Sequence, residues 1–216
     1  MNMKLRLIIM NFLEFAVWGA YLTSMGTYLG SVGMGGNIGW FYSVQGIVSI
    51  FMPALMGIVA DRWIPAQKLL SLCHFIAAVC MIIVGYQGVS GNVDFGSLFP
   101  WYSLSVAFYM PTLALSNSVS YNAIDKAHLD AIKDFPPIRT FGTIGFIASM
   151  WIIDLCGLIM TPYQFFVCAA WGLILTVYAL TLPACPVGQN KESKGLVQAL
   201  GLDAFKLFGQ KKPCSS

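Results

Sequence analysis

The sequence predicts an all-α membrane protein, a bundle of six spanning helices. Three observations carry this. Hydrophobic residues make up 57% of the 216 residues and charged residues only 10%, where a soluble domain has about a quarter charged; mean hydropathy is +0.72. Apolar runs long enough to cross about 30 Å of hydrocarbon recur along the chain, which marks a polytopic protein. The lysines and arginines gather in alternate loops rather than in one patch, so the net charge of +3 reflects membrane topology and not a nucleic-acid surface.

The first span covers residues 7–29 and ends at Gly30, Gly33, Gly35 and Gly36. Lys4 and Arg6 ahead of it mimic a signal peptide, but the run is too long and contains Glu14, so it reads as an uncleaved helix. The second span, 38–60, contains Pro53, a site for a bend. A short loop, 61–68, leads to the third span at 69–87. The fourth, 98–124, has Pro111 in its middle, and a polar loop, 125–134, precedes the fifth at 136–157. The sixth, 162–182, opens on Thr161 and Pro162 and stops before Pro183 and Pro186. Residues 1–184 thus form a six-helix transmembrane unit and 185–216 a tail. The six cysteines (Cys73, Cys80, Cys156, Cys168, Cys185, Cys214) lack metal-ligand spacing and fit small apolar packing.

Orientation follows from the basic residues. Lys4 and Arg6, then Arg62 and Lys68, then Lys126 and Lys133, then the five tail lysines, mark the N-terminus, second loop, fourth loop and tail. The first, third and fifth loops have no lysine or arginine. By the positive-inside rule both termini are cytoplasmic.

The stretch 134–151, DFPPIRTFGTIGFIASMW, carries the strongest functional signal. Asp134 is placed to cap a helix whose first turn holds Pro136 and Pro137. Arg139 follows, with Thr143 and Phe146 on its face at spacings of four and three. A guanidinium in a spanning helix is costly unless it faces protein, water or a partner charge, so this helix is expected to line a polar cavity. The alternative is snorkelling, since Arg139 lies about 27 Å from Gly157 at 1.5 Å per residue, near one end of its helix.

Other polar residues inside the spans have two readings each. Glu14, with Trp18 and Tyr21 continuing its face, pairs with Arg139, or helps to gate a substrate, or makes a structural hydrogen bond. Thr112, Ser116, Asn117, Ser120 and Tyr121 follow Pro111; they glue helices together, or the Asn117 amide donates to and accepts from a solute. His74 titrates near neutrality or is a packed imidazole. Asp154 is expected near solvent at the far end of its span. Gly26 and Gly30 permit close helix approach without implying function.

The second loop reads Gly57-Ile-Val-Ala-Asp61-Arg62-Trp63. It resembles the loop signature of the major facilitator superfamily: a glycine, three residues, an aspartate and a basic residue. Physically, a tight helix end at Gly57 would let Asp61 hold backbone N–H groups of a neighbouring helix end on one side of the membrane. The downstream glycine and paired basic residues of that signature are replaced by Ile64, Pro65 and Ala66.

Closer resemblance comes from Phe51-Met-Pro-Ala-Leu-Met-Gly57, Tyr109-Met-Pro-Thr-Leu, Asp134-Phe-Pro-Pro-Ile-Arg139, Phe141-Gly-Thr-Ile-Gly-Phe146 and Gly201-Leu-Asp-Ala-Phe205. These are similar to the nucleoside:proton symporter family, a branch of the major facilitator superfamily in bacterial inner membranes. The resemblance extends over about residues 3–208; residues 209–216 depart from it. It implies the N-terminal half of a twelve-span carrier, built as two inverted three-helix repeats, with the solute site between the halves. The tail would begin the inter-domain loop, and a missing C-terminal six-helix half would be the partner, along with lipid.

The implied substrate is a nucleoside. Arg139, Thr143 and Phe146 would line its cavity, with Trp18 and Asn117 beside them, the guanidinium bonding ribose hydroxyls or a base carbonyl and a ring stacking on the base. Nucleosides are neutral, so uphill uptake needs a coupled ion; the expectation is protons, with Glu14 and Arg139 as a proton and charge network in this half, the coupling acids and the rest of the site implied for the missing half, and no cofactor, no metal and no nucleic acid. Another neutral solute, such as an oligosaccharide or deoxy-sugar, is the alternative carrier reading. A non-transporting half-bundle is the alternative outside that class. Enzyme motifs are missing: the sequence has no HExxH, phosphate-binding loop or nucleophile elbow.

Overall fold

The computed structural model describes residues 2–187, so the tail reading for 188–216 lies outside the described residues. Within them the chain is helical throughout, without strands: α1 (Met3–Gly19), α2 (Met25–Ser31), a 3₁₀ turn (Gly35–Asn37), α3 (Ile38–Arg62), α4 (Ala66–Val89), α5 (Phe95–Lys126), α6 (Ala131–Leu155) and α7 (Tyr163–Leu180). Four segments are long and apolar enough to cross a membrane: Gly35–Arg62, α4, α6 and α7. At 17 residues α1 is short for a crossing. The 32-residue α5 is long enough, but serine, threonine and asparagine dilute its hydropathy.

The structure thus has seven α-helices where six spans are expected, because the first is broken at Ala20–Ser24. There the Tyr21 N–H turns back to the Trp18 carbonyl, a tighter bond than the α-helical ladder. Side chains from other helices take up the freed polar groups. The Tyr42 hydroxyl donates to the Leu22 carbonyl at 2.7 Å, and Ser24 Oγ donates to Gln164 Oε1 at 2.7 Å.

Two further boundaries differ from the sequence reading. Asp130, not Asp134, caps α6: its carboxylate accepts from the backbone N–H of Ile132 at 2.9 Å and of Lys133 at 3.4 Å. Asp134 sits one turn in, accepting from the Asp130 N–H at 3.1 Å and pairing with Lys4 at 2.6 Å. Pro136 and Pro137 therefore fall in the second turn and strip donors from the Ile132 and Lys133 carbonyls, at an exposed helix end where water can replace them. Gly57 is not a helix end either. Helix α3 runs through it to Arg62, which puts the exposed Asp61 and Arg62 in the last turn.

α1 is the central strut. It packs along α6, α7 and α5, while α4 packs on α5 and α7, and α3 on α5. Two apolar cores result, one around Tyr21, Tyr28, Tyr102 and Phe165, the other around Leu7, Leu70, Val119 and Leu175. α1 and α6 run parallel in backbone-to-backbone contact. A Cβ at position 145 would overlap the Phe12 carbonyl, and one at 19 the Phe146 carbonyl. Gly145→Ala is therefore expected to force the helices apart and cost about 1–3 kcal/mol, seen as a lowered midpoint in thermal unfolding of the detergent-solubilised chain.

Both ends of the described chain meet at one end of the bundle. The Tyr178 hydroxyl donates to the Arg6 carbonyl at 3.0 Å, and the Cys185 N–H donates to Gln67 Oε1 at 2.8 Å. Lys126 donates to the Ala184 carbonyl. The cations Lys4, Arg6, Arg62, Lys68, Lys126 and Lys133 all belong to segments that converge there. At the opposite end Asp94 caps α5; bonds from the Ser97 hydroxyl and N–H hold its carboxyl below the usual carboxylate range.

Candidate functional site

One open face of the bundle gathers most of the predicted site. Parallel packing of α1 and α6 brings Phe15 and Trp18 beside Arg139, Gly142 and Phe146. The Arg139 guanidinium lies 3.9 Å from the centroid of the Phe15 ring, a cation–π contact. Trp18 meets Phe146 edge to face at 6.2 Å and 82°, and touches the Phe15 and Tyr109 rings at 6.4 and 6.3 Å. Its indole Nε1–H donates to Gln45 Oε1 at 3.1 Å, and Gln45 Nε2 donates to the Tyr102 hydroxyl at 2.7 Å. These bonds fix the indole plane.

Arg139 is half-buried and makes no hydrogen bond or ion pair among the described residues. It borders an open depression with Phe135, Pro136, Thr140 and Thr143. Thr143 is exposed; Phe146 and Trp18 are half-buried. The Tyr121 and Phe135 rings pair at 4.4 Å between the antiparallel α5 and α6. Asn117 is half-buried on α5, one turn before Tyr121, and is not among the residues that line the depression. The face thus offers a cation, hydroxyls and aromatic rings.

Glu14 does not join that face, which corrects the pairing with Arg139. It is fully buried, with 0% of its side chain exposed, and so is His74, whose Nε2 lies 2.9 Å from Glu14 Oε2. The Thr112 hydroxyl donates to the other carboxyl oxygen at 2.6 Å, and the Tyr109 hydroxyl donates to the Glu14 backbone carbonyl at 2.8 Å. Helix geometry explains the split: Glu14 points into the core while Phe15, about 100° around α1, points at Arg139. The sequence held a signal for this pairing. Glu14 and His74 are isolated ionisable groups in different apolar runs, and each needs a partner when buried. Gln45, Tyr102 and Phe15 carried no such signal, since their roles arise only from packing.

The family model described as "Nucleoside H+ symporter" matches residues 1–214. The chain belongs to the nucleoside H+ symporter family. It is 41% identical over 211 residues to the xanthosine permease of Escherichia coli K12, covering 96% of this chain and 49% of that one. It is 40% identical over 214 residues to the nucleoside permease NupG of the same organism, covering 98% and 50%. The crystal structure of NupG superposes with a TM-score of 0.84 at 40% identity, over 97% of this chain and 51% of that one. The chain spans about half the length of the relatives it matches. They are permeases, not enzymes.

Proposed function

We propose that this chain forms one half of a proton-coupled nucleoside carrier of a bacterial inner membrane. The observation that carries the reading is Arg139: a guanidinium on an apolar helix, pressed against Phe15, with its donors turned to an open face. In hydrocarbon such a group is costly unless that face is covered by protein, water or solute. A nucleoside suits it. Ribose hydroxyls and base carbonyls accept from the guanidinium; Thr143 and Asn117 add short polar contacts; Phe146 and Trp18 offer ring faces and edges to the base.

In this reading the bundle makes six crossings, with α1 and α2 together as the first, arranged as two inverted repeats of three. The cation-bearing end is cytoplasmic by the positive-inside rule, and both termini with it. Asp61 and Arg62, exposed at that end beyond Gly57, are in position to meet a helix end of a second six-helix half. That half covers the Arg139 face and completes the site, with protons as the coupling ion.

The second reading is a half-bundle without transport of its own. Proteoliposomes decide between them: one set with this chain alone, one with the chain co-expressed with the C-terminal six helices of a relative. Under an inward proton gradient, labelled uridine is expected to accumulate in the paired set only. Copurification of the halves without uptake would overturn the carrier reading, as would uptake of a labelled oligosaccharide in place of uridine.

A further inference from the structure

Behind the solute face, the buried Glu14–His74 couple has more polar capacity than the protein around it uses. His74 Nδ1 has no hydrogen-bond partner among the described residues, and the Tyr21 hydroxyl, whose polar neighbour is the Tyr102 hydroxyl, makes no bond of good geometry there. Both line the same small cavity, of about 10 Å³, together with Ser105, Tyr109 and Cys168. That is room for about one water, and two to four polar partners are what a buried water needs. Each orphaned group would otherwise be a costly defect.

We propose that Glu14 and His74 form one proton-binding site, completed by a single water held between His74 Nδ1 and the Tyr21 hydroxyl. This rests on the carrier reading, in which protons are the coupling ion, and gives the described half a proton site of its own.

Bond directions support it. The Thr112 hydroxyl has one hydrogen and two acceptors in reach, Glu14 Oε1 and the Tyr109 carbonyl; while it donates to Oε1, an added proton goes to the line between Oε2 and Nε2. Without that proton the couple is a carboxylate and a neutral imidazole. Nε2–H then donates to Oε2, and Nδ1 is a bare acceptor. With it, the couple is either carboxylate and imidazolium or carboxylic acid and imidazole; in both arrangements Nδ1 carries a hydrogen and must donate. A group that only donates or only accepts could not serve both states, but a water does both. Loading takes one proton from water and unloading returns it, with no other bond made or broken. The loaded couple is neutral overall, the form that a low-dielectric interior favours.

Other titratable groups facing the couple are the phenols Tyr21, in the break after α1, and Tyr109 of α5 and the thiols Cys73 of α4 and Cys168 of α7, with the charge of Arg139 on α6 acting on Tyr109. From Tyr21 the ring contact to Tyr102 at 6.0 Å leads to Gln45 and Trp18. Occupancy of the proton site can therefore bear on the indole that packs against Phe146.

The chain has two histidines, His74 and His128, and two glutamates, Glu14 and Glu192, so a direct measurement is possible. The full chain is labelled with ring ¹⁵N in histidine and carboxyl ¹³C in glutamate and placed in lipid nanodiscs; H128N and E192Q assign the signals. On changing pH, the His74 and Glu14 signals are expected to move together in one shared transition, as a coupled pair must. In Y21F the Nδ1 signal is expected to shift while the Nε2 bond to Glu14 persists. A His74 ring that keeps one charge state and one tautomer throughout would overturn the proposal, as would an Nδ1 signal indifferent to Y21F. The wild-type titration decides even if a variant fails to fold. Absent uptake in the paired proteoliposomes with a shared transition present would sink the carrier reading and leave the site standing; uptake without the transition would do the reverse.

Discussion

Replacing His74 with leucine is expected to destabilise the bundle more than replacing Glu14 with leucine, and the double replacement less than the two losses combined. H74L leaves a fully buried carboxyl with only Thr112 and no counter-charge; an uncompensated buried ion costs about 3–5 kcal/mol. E14L leaves an imidazole that can stay neutral, with a ring nitrogen unsatisfied, at a cost of about 1–3 kcal/mol. Removing both leaves an apolar pair in an apolar core, and buried ion pairs are often replaced by hydrophobic residues at little net cost. Unfolding of the four proteins in mixed micelles gives the cycle. Equal single losses that simply add in the double variant would mean that the 2.9 Å contact carries no coupling.

The helical class, the placing of the basic residues and the cluster around Arg139 were legible because each depends on local or one-dimensional information. Hydropathy runs give the class, loop charges give the common end, and spacings of three and four put Arg139, Thr143 and Phe146 on one face. The break in the first span was not legible. Nothing between Ala20 and Ser24 forbids a helix; the interruption is held by partners distant in sequence, Tyr42 on the Leu22 carbonyl and Gln164 on the Ser24 hydroxyl. The start of α6 misled for a different reason. Two prolines point to a first turn, yet Asp130 is the better cap because Asp134 is engaged by Lys4 from α1. Gly57 fitted a loop signature, but a glycine on an open helix face with no neighbour near its Cα need not end anything.

The Glu14 partner shows where sequence reasoning stops. From the sequence, a buried carboxyl pairs with a cation and Arg139 is the cation within the spans; His74 enters as its partner only with the fold. What decided was rotation about α1. The close α1–α6 crossing requires glycine at positions 19 and 145, and that crossing turns Phe15 toward Arg139 and Glu14 away. A carboxylate beside Arg139 would have neutralised the cation. The aromatic ring in its place leaves the guanidinium donors uncommitted, which is what a neutral, hydroxyl-rich solute requires.

Arg139→Leu is therefore expected to weaken nucleoside binding by roughly 10- to 100-fold in the paired carrier, the worth of a charge-assisted hydrogen bond of about 1.5–3 kcal/mol. The fold should survive. Leucine suits both the Phe15 ring and lipid, and Arg139 has no ion pair among the described residues whose partner would be stranded. Arg139→Lys is expected to fall between the two, keeping the charge but losing the planar fork and its stacking on Phe15. Calorimetric titration of uridine into wild type, R139L and R139K, each first shown to melt at a similar temperature, measures it. Affinity unchanged in R139L would mean that the guanidinium reaches water and not solute. The aromatic group around Trp18 and Phe146 would then be a packing feature of the α1–α6 contact, and the nucleoside would have to be held from the other half.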